Sequence, residues 1–194
     1  RAVASWYRRR YHAAIGEEAV VALPGVVPGL YAFLLAFGER GKNYLTTPPV
    51  YPYLLSAGQA AGMACMQAPL KLEEGRYVFD FEALEKMSGP DTRALLLCHP
   101  HNPAGRNFSL DELTRLLEFV KRRKLYVCSD EIWAAWILDD KAFIPFFDLG
   151  EEAQRLTVTL GAASKTFNIP GLGAAYAVIP DASLRERFRA CIKG

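Results

Sequence analysis

The sequence predicts an α/β fold, a three-layer α/β/α sandwich around a mainly parallel sheet. Short, continuously apolar segments of strand length alternate along the chain with amphipathic segments of helical length. This alternation is typical of a parallel sheet that is covered by helices on both faces. Hydrophobic residues make up 51% of the 194 residues and charged residues 23%. That balance can build the core of one domain, with or without an appendage.

The predicted strands and helices follow one another in order. Strands are expected at residues 19–23, 43–47, 64–69, 93–99, 125–129, 156–160 and 174–179. Helices are expected at residues 5–15, from Pro28 onward, 49–62, 80–87, 109–123 and 181–192. Asp80 is a predicted N-cap, and Ser109 with Glu112 has the spacing of a capping box. Because such sheets bind ligands beyond the carboxyl ends of their strands, functional residues are expected directly after each strand.

Charge, hydropathy and cysteine spacing exclude several protein classes. The net charge is +2, which argues against nucleic acid as a partner because such domains carry a strong basic excess. No apolar run reaches the ~18 residues that a membrane span needs, so no membrane partner is expected. The four cysteines are far apart and form no CxxC pair. This disfavours a zinc or redox site and favours a reducing, cytoplasmic environment.

Lys165 is the one charged residue between positions 156 and 180, and its flanks read as buried strands. Burial disfavours the ammonium form and makes the neutral amine available. A lysine that forms a Schiff base needs that neutral amine. The alternative is a surface lysine whose stem lies along apolar residues, although the sequence offers little sign of an exposed face here.

Three further candidates follow other strands. Val26 and Val27 lie at a turn that leads into a helix, where free backbone amides can also bind an anion. Tyr51 lies between prolines and either packs beneath its loop or offers a stacking face to a flat ligand. Asn102 precedes a proline and is either an Asx-turn residue or a ligand contact.

Acidic and imidazole side chains complete the set of candidates. Asp130 directly follows an apolar strand, where it either caps the next turn or needs a partner for its charge. Its neighbour Glu131 is expected to point elsewhere and to form an ordinary ion pair. His99 and His101 are expected to be structural or exposed, since no third ligand lies nearby in the sequence, and no metal site is predicted.

Taken in order, these segments resemble the large domain of fold-type I pyridoxal-phosphate enzymes, the aspartate aminotransferase superfamily. The segments are PGVVPGL, VYP, NPAG, SDEIW and SKTFNIPGLG. The order and rough spacing of Asn102, Asp130 and Lys165 also match that superfamily. The residue sequences of the individual motifs, including TPPVYP and CHPHNPAGR, are similar to those of the branch of cystathionine β-lyases and MalY/PatB-type carbon–sulfur lyases.

The resemblance implies a role for each candidate around pyridoxal 5′-phosphate. Lys165 would bond to the cofactor aldehyde and later act as the base that removes the substrate α-proton. Asp130 would pair with the pyridine nitrogen and keep it protonated. Asn102 would donate to the phenolate oxygen, and Tyr51 would stack on the ring. Backbone amides of Val26 and Val27 would hold the phosphate, and Ser164 would shape the loop around the lysine.

This chain departs from the family pattern at three positions. Ala162 stands where many relatives have a phosphate-binding serine. Trp133 stands where relatives have tyrosine or histidine, and an indole cannot accept a hydrogen bond. Gly173 stands where many aminotransferases have a phosphate-binding arginine.

The resemblance covers residues 1–194 and implies a pyridoxal-phosphate-binding large domain. We expect a fragment, since relatives have an N-terminal segment and a C-terminal small domain beyond this region. The implied function of the longer protein is α,β-elimination of cystathionine- or cysteine-type amino acids to a thiol, pyruvate and ammonia. Aminotransfer is the first alternative, and a non-catalytic aminotransferase-like domain is the second. The resemblance also implies an amino-acid substrate and a homodimer, and we expect this fragment alone to be inactive.

Overall fold

The computed structural model describes residues 1–138 and 141–193, and it confirms the predicted three-layer α/β/α sandwich. The strands are β1 (Val20–Leu23), β2 (Asn43–Thr46), β3 (Ala64–Gln67), β4 (Lys71–Glu73), β5 (Arg76–Val78), β6 (Thr92–Cys98), β7 (Tyr126–Asp130), β8 (Thr157–Ala162) and β9 (Ala175–Val178). The α-helices are α1 (Ala2–Tyr11), α2 (Val26–Phe37), α3 (Pro52–Ser56), α4 (Phe81–Met87), α5 (Leu110–Arg123), α6 (Glu151–Gln154), α7 (Ala163–Thr166) and α8 (Ala182–Ile192).

The main sheet has seven strands in the order β1-β9-β8-β7-β6-β2-β3. The neighbours from β8 to β3 pair in parallel, whereas β9 is antiparallel to both β8 and β1. Because β9 is antiparallel to both of its neighbours, β1 and β8 run in the same direction. The carboxyl ends of β1, β2, β6, β7 and β8 therefore lie along one edge of the sheet.

Both faces of the sheet are covered, which explains why its strands read as continuous apolar runs. Along β6, Leu96 and Cys98 face one core that also contains residues of α2 and α8. Leu95 and Leu97 face the opposite core, which contains residues of α4 and α5. The alternation of side chains along a strand thus divides one apolar segment between two cores. No helix in the described part of the chain is long and apolar enough to cross a membrane.

Several predicted elements differ from the observed ones at their ends. The predicted helix at residues 49–62 is a short α3 followed by a 3-10 turn, Ala57–Gln59. At Gly58 the backbone approaches the Tyr44 ring so closely that a Cβ would lie 2.3 Å from it. The first helix ends at Tyr11, since the next residue, His12, is left-handed with φ 56°. The sequence pattern alone shows neither the close approach at Gly58 nor the left-handed backbone at His12.

The hairpin of β4 and β5 was not predicted from the sequence. Its strands are three residues each, and side chains of β4 are exposed. The connecting residues Glu74 and Gly75 have φ of 48° and 77°. Two positive φ values fit the tight turns that join antiparallel strands, but the usual Asn-Gly or Asp-Gly signal is absent. Strands of three residues are too short to show the alternation of apolar and polar residues by which a strand is predicted.

The predicted capping box of α5 is present. The Ser109 hydroxyl accepts the Glu112 N–H at 3.3 Å, and the Glu112 carboxylate accepts the Ser109 N–H at 2.8 Å. The same carboxylate forms an ion pair with Arg106 at 2.6 Å. The start of α5 is therefore tied to the loop that follows β6.

Replacing the capping hydroxyl should destabilise the fold measurably. We expect Ser109→Ala to lower the free energy of unfolding by about 1 kcal/mol, because an amide of the first turn loses its acceptor. Ser109→Asp keeps an acceptor and should stay within a few tenths of a kcal/mol of the unchanged protein. Urea unfolding monitored by circular dichroism measures both values, and equal losses in the two variants would contradict the capping role.

Candidate functional site

Three predicted site residues meet at the carboxyl edge of β6 and β7. Cys98 at the end of β6 pairs with Asp130 at the end of β7, and the His99 N–H donates to the Asp130 carbonyl at 2.9 Å. The Asn102 N–H donates to the Cys98 sulfur at 3.3 Å. The Tyr51 N–H donates to the Asn102 carbonyl at 3.1 Å. Backbone contacts thus bring Tyr51, Asn102 and Asp130 into one site.

The Asp130 carboxylate is buried, and no cationic side chain of the described residues pairs with it. The residue is 4% exposed, and one carboxylate oxygen accepts the Ile132 N–H at 3.2 Å. Burial raises the pKa of Asp130 to about 6, and the Ile132 hydrogen bond offsets part of that rise. The same carboxylate helps to raise the pKa of Tyr51, after burial and Tyr53. No ion pair involves Asp130 within the described residues, so the site is suited to a cationic ligand atom.

The start of α2 presents free backbone amides at the same edge. Gly25 is the N-cap, and the Gly29 N–H already donates to the Gly25 carbonyl at 3.2 Å. Pro28 has no N–H, so the unpaired amides of this first turn are those of Val26 and Val27. Helix α2 has 12 residues, and its positive dipole end favours an anion there.

Lys165 lies on α7, a single turn that directly follows β8, and its predicted burial is wrong. The residue is exposed, and so are most residues from 167 to 174, with Leu172 73% exposed. The apolar residues of β8 and β9 are buried, but the segment between them projects beyond the sheet edge. Lys165 is therefore exposed because its segment leaves the sheet, although its neighbours in sequence are apolar.

The loop after α7 returns to the loop of Val26. Gly173 is left-handed with φ 59°, and a Cβ at this position would lie 3.2 Å from the Pro24 carbonyl oxygen. An arginine here would be strained, which gives a physical reason for the departure from the family pattern. The Ser164 carbonyl accepts the Ile169 N–H at 3.0 Å. The Ser164 hydroxyl has no hydrogen bond to any described residue, so its role in shaping the loop stays a prediction.

Glu131 does not form the expected ion pair. It is 2% exposed and accepts hydrogen bonds from the Ser129 hydroxyl and the Phe146 N–H, both at 2.9 Å. Its second oxygen has no partner among the described residues. Burial raises the pKa of Glu131 to about 8. Because successive strand residues face opposite sides, the acid next to Asp130 enters the core on the other face.

Of the two predicted environments, structural or exposed, His99 and His101 have the structural one. Both are buried, and their Nε2 atoms lie 3.1 Å and 3.3 Å from the carbonyl oxygens of Ile144 and Thr47. Burial lowers the pKa of each imidazole to about 4, so both are neutral at pH 7. Residues 1–138 and 141–193 contain no cluster of three or more His, Cys, Asp or Glu that could hold a metal ion.

Two cavities lie near the carboxyl edge of the sheet, and the first is lined in part by residues next to Lys165. One of about 490 Å³ lies beside α1 and is lined by Trp6, Glu131 and Phe167 among others. The other, of about 460 Å³, lies between the Asn102 loop and the two indoles of Trp133 and Trp136. The sequence drew attention to Trp133 only as a departure from the family pattern and did not single out Trp136. Their positions, three and six residues after Asp130, were the available signal.

The fold and the converging loops define a three-layer α/β/α domain with polar groups gathered at the carboxyl edge of its sheet. The chain belongs to the family described as "Aminotransferase class I and II", whose sequence profile matches residues 1–193. The resemblance to fold-type I pyridoxal-phosphate enzymes is confirmed by this match.

Individual relatives agree with the family assignment. Over 193 residues the chain is 36% identical to "Cystathionine beta-lyase PatB" of Bacillus subtilis, covering 99% of this chain and 50% of that protein. The crystal structure of OvoB has a TM-score of 0.95 and 39% identity, covering 99% of this chain and 51% of that one. Cystalysin from Treponema denticola, whose structure contains pyridoxal 5′-phosphate, has a TM-score of 0.93 and 32% identity, with 97% and 48% covered. The chain thus spans about half the length of the curated relatives it matches.

The buried Glu131 should make stability depend on pH. Its folded-state pKa is raised to about 8, so its stabilising contribution is complete below the unfolded pKa near ~4.5 and is lost as pH rises through 8. In the Glu131→Gln variant the side-chain oxygen can still accept both hydrogen bonds, but the side chain no longer ionises. The stability of the variant minus that of the unchanged protein should therefore rise from pH 5 to 8, by at most about 1.4 kcal/mol per pH unit.

Chemical unfolding at several pH values measures this difference. Glu82→Gln is the matched control, because Glu82 is exposed and its replacement should leave the pH dependence unchanged. Parallel curves for Glu131→Gln and the unchanged protein would contradict the raised pKa.

Proposed function

We propose that residues 1–194 are the pyridoxal-phosphate-binding large domain of a carbon–sulfur β-lyase. The observation that carries this proposal is the convergence, at one sheet edge, of a buried carboxylate, free helix-start amides and a lysine that has no anionic partner among the described residues. The proposed reaction of the longer protein is α,β-elimination of a cystathionine- or cysteine-type amino acid to a thiol, pyruvate and ammonia.

The donor set of this site fits the chemical groups of pyridoxal phosphate. Its phosphate suits the amides of Val26 and Val27. Its cationic ring nitrogen suits the buried Asp130, and its flat ring suits the Tyr51 face. Its phenolate oxygen suits the Asn102 amide, and its aldehyde suits the Lys165 amine. When bound, the cofactor supplies an electron sink that stabilises negative charge at the substrate α-carbon.

The residues of this chain would bind, orient and move a proton. Asp130 would stay ionised beside the ring nitrogen, because a nearby cation lowers the pKa that burial raises. Lys165 would take the proton from the substrate α-carbon through its Nζ atom, acting as a general base. Its exposed position on α7 leaves that atom accessible to a substrate. Ser164 would shape the loop that carries it.

The lyase is favoured over two alternatives. PatB is named a cystathionine beta-lyase, and the structure of a "C-S lyase from Staphylococcus hominis" has a TM-score of 0.91 at 26% identity. An aminotransferase is the second candidate, supported by 29% identity over 181 residues to a "Probable N-succinyldiaminopimelate aminotransferase DapC" of Mycobacterium tuberculosis. A non-catalytic domain is disfavoured because Asn102, Asp130 and Lys165 are all retained.

We further propose that the longer protein is a cytoplasmic homodimer without nucleic-acid or membrane partners. The net charge of +2 supports the absence of a nucleic-acid partner, and the separated cysteines support a cytoplasmic location. Since the matched relatives are about twice as long, we propose that an N-terminal segment and a small domain complete the substrate site. The isolated chain would then bind cofactor without useful turnover.

Cofactor binding through Lys165 can be tested on this chain directly. Purified protein mixed with pyridoxal phosphate should develop an imine absorbance band near ~420 nm, a property of such cofactor imines. Lys165→Ala should abolish the band because the amine is lost, whereas Lys193→Ala, near the chain end, should retain it. Absence of the band in the unchanged protein would overturn the proposed function.

The reaction type can be tested on the longer protein. We expect pyruvate release from cystathionine without any keto-acid acceptor, because elimination transfers no amino group to a second substrate. The isolated chain should give at least about a hundredfold less pyruvate, since a 1 Å error in substrate positioning already costs about that much. Strict dependence on a keto acid would instead establish aminotransfer.

A further inference from the structure

We infer that Trp133 and Trp136 are positioning residues for Lys165. The side-chain nitrogen of Lys165 lies 5.3 Å from the centre of the Trp133 ring. The indole N–H of Trp136 donates to the Lys165 backbone carbonyl at 3.1 Å. Trp133 therefore contacts the amino group of Lys165, and Trp136 forms a hydrogen bond with its backbone. The inference rests on the proposed function only in treating Lys165 as the reactive amine.

A hydrogen-bonded turn after β7 presents both indoles to the lysine. The Ala134 N–H donates to the Glu131 carbonyl at 3.0 Å, and the Trp136 N–H donates to the Trp133 carbonyl at 2.8 Å. The two indole rings meet edge to face, with centroids 6.4 Å apart and an interplanar angle of 87°. Each ring thus limits the orientation of the other, and the pair forms a defined wall beside Lys165.

The indole face of Trp133 takes the place of an anionic partner, which Lys165 does not have in the described part of the chain. Among the described residues Lys165 has no ion pair, and the negative face of an indole attracts an ammonium group. A lysine stem is otherwise free to adopt many rotamers, and an amine that is already oriented loses less freedom when it reacts. At a partly exposed site such a contact corresponds to about two- to fivefold in an equilibrium constant.

The first readout is the position of the side chain without any cofactor. Reductive methylation with carbon-13 formaldehyde labels lysines and keeps their charge, and Lys165→Arg identifies the Lys165 signal. We expect a ring-current shift of that signal to high field, lost in Trp133→Leu and largely retained in Trp133→Phe. The matched control is Trp6→Phe, which alters the indole that packs on Phe167 at 5.7 Å and should leave the Lys165 signal unchanged.

The second readout is imine formation with pyridoxal phosphate, followed near ~420 nm on unlabelled protein. Trp133→Leu should raise the apparent dissociation constant about two- to fivefold, and Trp133→Phe should restore it to within about twofold. An unshifted Lys165 signal in the unchanged protein, or a Phe variant as weak as the Leu variant, would overturn the inference. A shifted signal with no imine band in the unchanged protein would instead overturn the proposed function and leave the tryptophan contact intact.

Discussion

The parallel pairing of β6, β7 and β8 is the constraint on which the site depends. In this register Cys98 lies beside Asp130, and Asp130 lies beside Leu160. The loops that follow these strands must leave the sheet at the same edge, so the Asn102 and Lys165 segments emerge near the buried carboxylate. The antiparallel β9 lets β1 run in the same direction, which adds the free amides at the start of α2. A slip of one residue in β7 would send the Asp130 side chain to the opposite core.

Asp130, the last residue of β7, and Glu131, the residue after it, point to opposite sides of the sheet. Asp130 faces the candidate site, whereas Glu131 enters the core on the other side and accepts two hydrogen bonds there. Both pKa values are raised by burial. A cationic ligand would favour ionised Asp130, while Glu131 has no such partner among the described residues and is stabilised as the neutral acid. Two neighbouring carboxylic acids therefore have different environments because their side chains point to opposite sides of the sheet.

Much of the candidate site could be predicted because its residues follow strands. Asn102, Asp130 and Lys165 were identified from their positions directly after apolar segments, together with the order of the motifs. The environment of Lys165 could not be predicted in this way. Apolar neighbours in sequence suggested burial, but exposure depends on where the chain leaves the sheet. The contact of Lys165 with Trp133 was equally hidden, since it joins segments that follow different strands.

The sequence by itself determined the class of fold, the alternation of strands and helices, and the capping box of Ser109 and Glu112, and it provided the candidate residues of the proposed site. These properties are encoded by local periodicity, by residue spacing and by the chemistry of single side chains. Only the tertiary structure decided the order of strands, the exposure of Lys165, the burial of Glu131 and the close approach of Gly173 to Pro24. Those features arise from pairing between residues distant in sequence, and no local pattern specifies which distant segment will lie alongside.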